Sequence, residues 1–459
     1  MPKTPFAELA AKMDQLYEYD REPVPETALH SGAKFAGLYA GEHVAATEFV
    51  IGAFFVLHGV SAWDLVTGLI VGNILAVLSW AFICAPIAVK TRLTLYWRLR
   101  AVGGPGLMKA YNLVYGILFC GLAGAMVSVA ATAIGLGFGV PSPELDAIYP
   151  SSIGWVVITF LIGTAMTLLA ILGFEKLSKF AEVCSPWMFL VFIAGALSML
   201  PALGVKTDFS NFWEIAQTKI WTGIPAEGQD KYGFWHIASF AWLCNAAFHL
   251  GLTDMATLRF APTWKYGFYS ALGMFPGHFL AWMCSGVMVA AVAREMNPGL
   301  MAYEAAGIAG ALAVLIAGWT TANPTLYRAG LALQAVSPNW PRWRVTLIAG
   351  LLTTVVSCFP VIFMRLLDYL ATFGLMMAPI GAVVFAEHMI LPRLGVEPAE
   401  KAIAGVSVNK AAAVAWAVSV LIACPWAPNY PIHAFYKPVP AWLLAGVLYI
   451  VLRRAGVGR

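Results

Sequence analysis

The segment Tyr39-Ala-Gly-Glu-His-Val-Ala-Ala-Thr-Glu-Phe49 decides how the rest of the chain is interpreted. It lies inside an apolar stretch, residues 34–58, that is long enough to cross a bilayer. An ionised side chain in mid-membrane costs at least ~2.5–3.5 kcal/mol, so such groups usually face the protein interior or a wet cavity. The polar side chains placed there are Glu42, His43, Thr47 and Glu48.

Small residues accompany these polar groups. Gly41, Ala45 and Ala46 allow close backbone approach or local unwinding. The segment therefore predicts a first membrane helix that is broken and lines a translocation site. The alternative is a helix end, with Glu42 and His43 at the water interface and the span starting near residue 49.

The composition is that of an integral membrane protein. Of 459 residues 60% are hydrophobic and only 11% are charged, with a mean hydropathy of +0.76, whereas soluble domains are about a quarter charged. Residues 1–33 are polar and predict a cytosolic tail without a cleavable signal peptide. The seven cysteines form no CxxC pair, and a net charge of +4 gives no reason to expect a nucleic-acid partner.

About twelve apolar windows follow one another along the chain, and each predicts a helix because an isolated span must satisfy its own backbone. They are residues 34–58, 62–89, 107–135, 151–173, 180–204, 235–257, 266–292, 304–327, 344–363, 366–391, 410–428 and 438–452. The basic residues indicate orientation: with the N-terminus inside, 22 of the 28 lysines and arginines fall on inner segments. Both termini are then predicted to be cytoplasmic, in a multi-pass protein of the cytoplasmic membrane.

The chain is approximately doubled. The polar interruption of the first span has a counterpart in the sixth, Asn245-Ala-Ala-Phe-His-Leu-Gly-Leu-Thr-Asp254. The same offset separates His43 from His249 and Glu48 from Asp254. An offset of five spans inverts the second copy, and inverted repeats with matching interrupted helices indicate a secondary transporter.

The eighth span contains Gly318-Trp-Thr-Thr-Ala-Asn-Pro-Thr-Leu-Tyr-Arg-Ala-Gly330. Thr320 and Thr321 can supply the oxygen ligands that Na⁺ requires. Asn323 offers both a donor and an acceptor, as a heterocyclic amide substrate needs. The alternative is that the threonine hydroxyls bond the carbonyl one turn back.

Several stretches resemble the nucleobase:cation symporter-1 family, which includes cytosine permease. Trp319-Thr-Thr-Ala-Asn-Pro-Thr-Leu-Tyr327 is similar to its W-T-T-N-x-x-x-L-Y segment, and residues 59–75 to its G-L-S…G-N-L-L second span. Val89-Lys-Thr-Arg-Leu-Thr94 resembles its A-K-T-G-L-T/S loop, and Phe385-Ala-Glu-His-Met389 stands where it has I-A-D-Y. The resemblance implies an all-α, LeuT-like fold of five plus five inverted helices with two further helices.

On this resemblance the chain divides into five parts. They are a tail (1–33), a first repeat (34–204), an extracytoplasmic loop (205–234), a second repeat (235–391), and helices eleven and twelve with a short tail (392–459).

The family's sodium site uses backbone oxygens of the first helix and hydroxyls of the eighth. The resemblance therefore implies Na⁺ ligands at Ala45, Ala317, Thr320 and Thr321, with the backbone from Gly41 to Ala46 contributing. Glu42, His43, Thr47 and Glu48 join this ion-coupling set from the residues themselves. A carboxylate beside an imidazole can load and release a proton, so the coupling ion is Na⁺ or H⁺; a structural hydrogen bond is the alternative.

The family also places a flat substrate between an aromatic residue on helix three and another on helix six. Here Phe119 stands where the family often has Trp, Gly116 where Gln is common, and Asn323 one place beyond the common Asn. On helix six the register is open, and the implied candidates are Trp242, Asn245, Phe248 and His249.

Two other classes compete. A channel is one, although the doubled architecture favours alternating access. A haem-bearing redox protein is the other, because His43 with His58 and His236 with His249 form two spaced pairs. The chain has no phosphate-binding loop and no nucleophile–base constellation. The sequence thus predicts no enzyme, no cofactor beyond the coupling ion and no evident partner protein, but an importer of a small heterocyclic compound such as a nucleobase or vitamin precursor.

Overall fold

The computed structural model describes residues 5–45, 47–144, 147–292, 297–361, 366–423 and 432–457. Within these residues the chain forms twelve helical spans, and eight helices are individually long and apolar enough to cross a membrane. Span 1 consists of Gly32–Glu42 (1a) and Glu48–Leu57 (1b), and span 6 begins with Phe234–Leu243 (6a) and ends with Met255–Leu258 (6b). The others are Ala62–Thr91 (span 2), Leu95–Gly137 (3), Ile153–Ile171 (4), Phe174–Leu203 (5), Trp264–Val292 (7), Pro298–Val336 (8), Arg342–Ser357 (9), Leu366–Phe385 continued by Ala386–Ile390 (10), Lys410–Ile422 (11) and Pro438–Arg454 (12).

Spans 1 and 6 are both interrupted at the predicted polar segments. Span 1a ends at Glu42, and 1b starts at Glu48 after a non-helical stretch, residue 46 of which lies outside the described part. Span 6 breaks after Leu243, makes one short turn at Ala246–His249, and passes through Leu252 at φ 63°. A positive φ is uncommon for a side chain like that of leucine, so this backbone is held by its surroundings.

Spans 1 to 9 fall into two packed groups, while spans 10, 11 and 12 pack against one another. Spans 3, 4, 8 and 9 contact one another, with spans 3 and 8 in contact along most of their length. Spans 2 and 6a pack together, as do 1b and 7, while span 5 lies against 1a, 7 and 8. The interrupted segments of spans 1 and 6 therefore face the group formed by spans 3 and 8.

The predicted windows miss the true lengths of two helices. Span 3 begins at Leu95 because the helix continues through a kink at Gly104, where φ is 82°. Span 8 runs on to Val336, past the point at which the sequence predicted its end, with Pro324 inside the helix. Helix-breaking residues are tolerated inside membrane helices because neighbouring groups satisfy the freed backbone.

The N-terminal tail is folded onto the protein surface. Arg342 at the start of span 9 pairs with Glu18 at 3.5 Å and with Asp20 at 3.7 Å. Arg259, at the end of 6b, donates to the carbonyl of Tyr19 at 2.6 Å. Burial raises the pKa of Glu18, and the positive charge of Arg342 opposes that rise. The tail thus connects helices of both groups.

The contact between spans 1b and 7 depends on the absence of a side chain at Gly52. A Cβ there would lie 1.6 Å from the Ser285 hydroxyl and 2.5 Å from the Trp282 carbonyl. We expect Gly52→Ala to lower the free energy of unfolding by about 1–3 kcal/mol, the usual cost of overpacking. Thermal unfolding of the purified protein measures this. Gly137→Ala is the control, since a Cβ at Gly137 meets nothing within 4 Å; equal melting temperatures for the two variants would contradict the packing.

Candidate functional site

In each interrupted span a buried carboxylate lies where the break ends. That carboxylate accepts a hydrogen bond from a tryptophan indole. The Trp282 indole on span 7 donates to Glu48 at the start of 1b. The Trp80 indole on span 2 donates to Asp254, which precedes 6b. Spans 2 and 7 occupy corresponding places in the two repeats. Both also contain a π-helical turn near the indole, at Trp80–Cys84 and Gly273–Phe279, a feature frequent at functional sites.

Arg328 connects the two broken spans to span 8. Its side chain is fully buried, and its guanidinium donates to both carboxylate oxygens of Glu42 and to Asp254. The Tyr39 hydroxyl also donates to Asp254, at 3.0 Å. The guanidinium carbon lies 4.6 Å from the ring centre of Phe248, a cation–π contact. One positive charge thus holds residues of 1a, 6 and 8 together.

This cluster has more negative than positive charge. Glu42 and Asp254 are 5% and 1% exposed, and Arg328 is the only guanidinium that pairs with them among the described residues. Glu42 is also the last residue of 1a, where the partial negative charge of the helix end disfavours a carboxylate. A buried charge cluster is expensive to assemble, so its presence points to function rather than to stability.

Glu48 has a different environment. Its second carboxylate oxygen lies 3.7 Å from the His278 imidazole of span 7. That imidazole stacks on the Trp282 ring at 4.4 Å and meets the His43 ring edge-on at 5.0 Å. Among the described residues no Lys or Arg side chain pairs with Glu48, so a proton or a cation from outside has to balance its charge.

A small cavity lies between the two breaks, with a volume of about 50 Å³ available to the centres of water molecules. A water needs roughly 10–15 Å³ of such volume, so the cavity has room for a few waters but not for a heterocycle. Of the predicted site residues, those in its wall are Glu42, His43, Ala45, Thr47, Glu48, Asn245, Phe248 and Thr321.

Of the hydroxyls predicted to bind Na⁺, Thr321 reaches span 1 and Thr320 does not. The Thr321 hydroxyl donates to the Glu42 carbonyl at 3.0 Å across the two helices. The Thr320 hydroxyl makes the local bond to the Ala317 carbonyl, at 3.2 Å, that was the alternative to ion binding, and it also contacts the Met188 sulfur at 3.5 Å. No group of three or more His, Cys, Asp or Glu side chains in the described ranges could hold a metal. Carbonyl and hydroxyl oxygens are suitable ligands for a hard cation such as Na⁺.

Several predicted substrate residues lie behind the cavity wall. The Trp242 indole donates to Ser79 of span 2 at 3.0 Å and therefore does not face the cavity. The His249 imidazole bonds the Trp242 carbonyl at 2.9 Å. Gly116 packs against Leu333, and a Cβ there would lie 2.5 Å from that side chain. These three positions do not line the cavity, and Ala46 lies outside the described residues.

Phe119 and Asn323 are buried, and neither belongs to the cavity wall. The Phe119 ring contacts Phe248 at 5.7 Å between ring centres and stacks on Tyr115 at 4.2 Å. Both polar atoms of the Asn323 amide lack a hydrogen-bond partner in the structure, as does the amide nitrogen of Asn245. Unpaired buried amides are costly, so these groups are suited to receive a polar guest.

The sequence does not single out Arg328, Asp254, Trp80, His278 and Trp282 as site residues. Its apolar windows place Arg328 in an inner loop, whereas the structure places it inside span 8. One feature of the sequence could have indicated Arg328. It follows Thr321 by seven residues, which puts both side chains on one face of a helix.

The histidine pairs do not form haem sites. The Tyr232 ring stacks between His58 and His236, at 4.1 and 4.7 Å. The Trp80 ring contacts both His43 and His249, at 5.7 and 4.7 Å. Because aromatic rings already occupy these gaps, the geometry does not favour the redox alternative.

Comparison with known proteins identifies the fold. No protein-family model and no curated protein sequence matches the chain. Solved structures do match, 156 chains in all, including transporters that are similar over nearly the whole length. Mhp1, a nucleobase-cation-symport-1 family transporter, in a closed conformation with bromovinylhydantoin bound, is similar with TM-score 0.73, 14% identity, and 96% of both chains covered. Inward-facing Mhp1 matches with TM-score 0.72 and 14% identity over 96% of this chain and 94% of that chain.

A Na⁺-coupled sialic acid symporter, in a substrate-bound outward-open state, is similar with TM-score 0.68 and 13% identity over 98% of this chain and 96% of that chain. The chain has the fold of these symporters. The predicted LeuT-like architecture is confirmed, and Mhp1 is a member of the family that the sequence motifs resemble.

Arg328→Gln tests the charge cluster. The variant leaves two buried carboxylates without their cation, and we expect it to lower the free energy of unfolding by about 3–5 kcal/mol. Adding Glu42→Gln should restore part of the loss because one carboxylate is removed. Thermal unfolding of purified protein is the measurement, with Arg344→Gln, an exposed arginine of span 9, as control. Equal melting temperatures for Arg328→Gln and Arg344→Gln would contradict the role of the cluster.

Proposed function

We propose that this protein is a secondary transporter that imports a small heterocyclic compound together with a cation. The observation that carries the proposal is the pair of broken spans whose polar groups meet at one small cavity. Discontinuous helices of inverted repeats place substrate and coupling ion near the middle of the membrane in such transporters. The known structures with this fold add support, since one contains a bound hydantoin and another is described as Na⁺-coupled.

The coupling cation would bind between spans 1 and 8. Its proposed ligands are the backbone of the first break, including Ala45, and the oxygens of Ala317, Thr320 and Thr321. Na⁺ there would replace the bond between the Thr321 hydroxyl and the Glu42 carbonyl. The ion would hold 1a against span 8 and so stabilise the conformation that binds substrate, which is coupling by linkage.

The substrate would bind between Phe119 and Phe248. These rings are 5.7 Å apart and tilted by 58°. A flat ring between them needs a spacing of roughly 7 Å, two van der Waals contacts, so the rings must separate as the cavity opens. The Asn245 and Asn323 amides would then bind the polar edge of the guest.

The charges at the cavity favour a positive guest or a second coupling cation. Among the described residues no Lys or Arg pairs with Glu48, whose nearest basic group is the His278 imidazole, and the cluster of Glu42, Asp254 and Arg328 has one excess formal negative charge. Na⁺ with a proton, or Na⁺ with an amino-bearing heterocycle, would neutralise both. We place the protein in the cytoplasmic membrane with both termini inside, as the basic residues of the loops indicate. A channel is the alternative, and two interrupted helices in inverted repeats favour alternating access instead.

A thermal-shift screen of purified protein, with and without Na⁺, against purines, pyrimidines, hydantoins and thiamine precursors would identify the substrate. With the substrate in hand, we expect Thr321→Ala to reduce Na⁺-dependent uptake at least tenfold at unchanged protein level, since loss of one buried ion ligand costs about 1.4 kcal/mol or more. The control is Thr354→Ala, another buried threonine, whose hydroxyl bonds its own helix at 2.7 Å. An unchanged Na⁺ dependence would rule out the site.

Glu48→Gln tests proton coupling. The amide keeps the shape of the side chain and can still accept from Trp282, but it cannot bind a proton. We expect the pH dependence of uptake to flatten while the Na⁺ dependence is kept. Uptake into proteoliposomes at a series of pH values is the measurement, with Glu304→Gln on span 8 as control. A pH profile that superimposes on the unmodified protein's would remove Glu48 from the coupling role.

A further inference from the structure

A second cavity lies far from the proposed substrate site. It is a half-open groove of about 590 Å³ between the start of span 3 and the segment that precedes span 11. This volume is within the range of small-molecule sites, roughly 300–1,000 Å³. Its walls include Leu93, Trp97, Arg98, Arg100, Pro105 and Val406.

The groove is built by the kink in span 3. At Gly104, where φ is 82°, a Cβ would lie 2.5 Å from the Ser407 carbonyl, so only glycine allows this close approach. The Gly106 amide donates to the Ser407 carbonyl at 2.7 Å, and the Asn409 side chain to the Val102 carbonyl at 2.8 Å. The groove is therefore a fixed feature of the two segments.

Two arginines, Arg98 and Arg100, and one glutamate, Glu400, line the groove, so its formal charge is +1. Residues 90–109 contain five basic and no acidic side chains, and residues 393–410 contain three basic and two acidic ones. Arg98 is paired with Glu400 at 3.1 Å and also donates to His388. Arg100 is exposed, lies over the Trp97 ring at 5.3 Å, and has no carboxylate partner among the described residues. One wall thus presents a free guanidinium to a guest.

The position of the groove indicates that a ligand would reach it from the membrane surface. It lies just beyond the end of span 2 at Thr91 and just before span 11 at Lys410, which is the level of the lipid headgroups. The neighbouring loop exposes apolar side chains, with Leu394 at 47%, Val406 at 39% and Val408 at 36%. Exposed apolar residues beside arginine and tryptophan are typical of a surface that meets the membrane interface.

We infer that this groove binds the headgroup of an anionic phospholipid. The phosphodiester would contact Arg100, and the glycerol and first methylenes would lie along the Trp97, Pro105 and Val406 side chains. Basic pockets between membrane helices bind anionic headgroups in this way. A bound lipid would join the first segment of span 3 to the loop before span 11, and span 3 also contains Phe119.

Binding of short-chain phosphatidylglycerol to the purified full-length protein tests the inference, with phosphatidylcholine and glycerol phosphate at equal ionic strength as comparison ligands. We expect saturable binding of phosphatidylglycerol alone. Arg100→Gln should weaken it by about fivefold, the effect of one basic residue at an anionic surface. Arg100 is exposed, so the variant should fold normally.

Lys109→Gln is the matched control, because Lys109 is an exposed basic residue of the same helix that does not line the groove. Unchanged affinity for this variant supports a defined site. Equal weakening by Lys109→Gln and Arg100→Gln would overturn the inference, since it would show diffuse attraction to the whole face. Equal binding of phosphatidylcholine, or of glycerol phosphate, would also overturn it.

Discussion

The buried guanidinium of Arg328 is the constraint on which the centre of this protein depends. It binds Glu42 at the end of 1a and Asp254 before 6b, the two places where membrane helices stop being helical. A carboxylate inside a membrane protein is stable only with a compensating charge or proton. Without Arg328 both breaks would expose unpaired negative charge to a low-dielectric interior. Arg328 therefore holds the end of 1a and the segment before 6b against span 8.

Residues that contact the Arg328 guanidinium also form part of the cavity wall. Glu42 pairs with Arg328 and also offers its carbonyl to Thr321, while Phe248 contacts the guanidinium and faces the proposed stacking partner Phe119. A cation or guest that moves the Glu42 backbone or the Phe248 ring must change the geometry of the charge cluster. Opening toward the N-terminal face, where the tail also binds Arg342, would require 1a and 6b to leave span 8. This gives a physical route by which ligand binding shifts a two-state equilibrium.

The sequence was sufficient to predict the broken helices, because polar side chains in a membrane-length apolar run must turn away from lipid and toward a buried site. It also pointed to Thr321, which lines the cavity and bonds span 1, while its role as an ion ligand stays a prediction. It did not place Arg328 in the site, because an arginine shortly after a proline is expected in a loop. In the structure span 8 continues as a helix past Pro324 and contains Arg328. Trp282 and His278 reach Glu48 from more than two hundred residues away, and no periodicity shows that. Trp242 turns toward Ser79 of span 2, a contact over more than a hundred and sixty residues that no local sequence pattern shows.

The central claim of the proposal is that one site between the two breaks holds a cation and a guest that stabilise each other. Equilibrium titration of the purified protein with the heterocycle, in Na⁺ and in choline at equal ionic strength, tests it most directly. The account predicts that Na⁺ lowers the Kd of the heterocycle and that the heterocycle lowers the Kd of Na⁺ by the same factor, because linkage is reciprocal. An affinity for the heterocycle that is the same in Na⁺ and choline, at every pH tested, would contradict it.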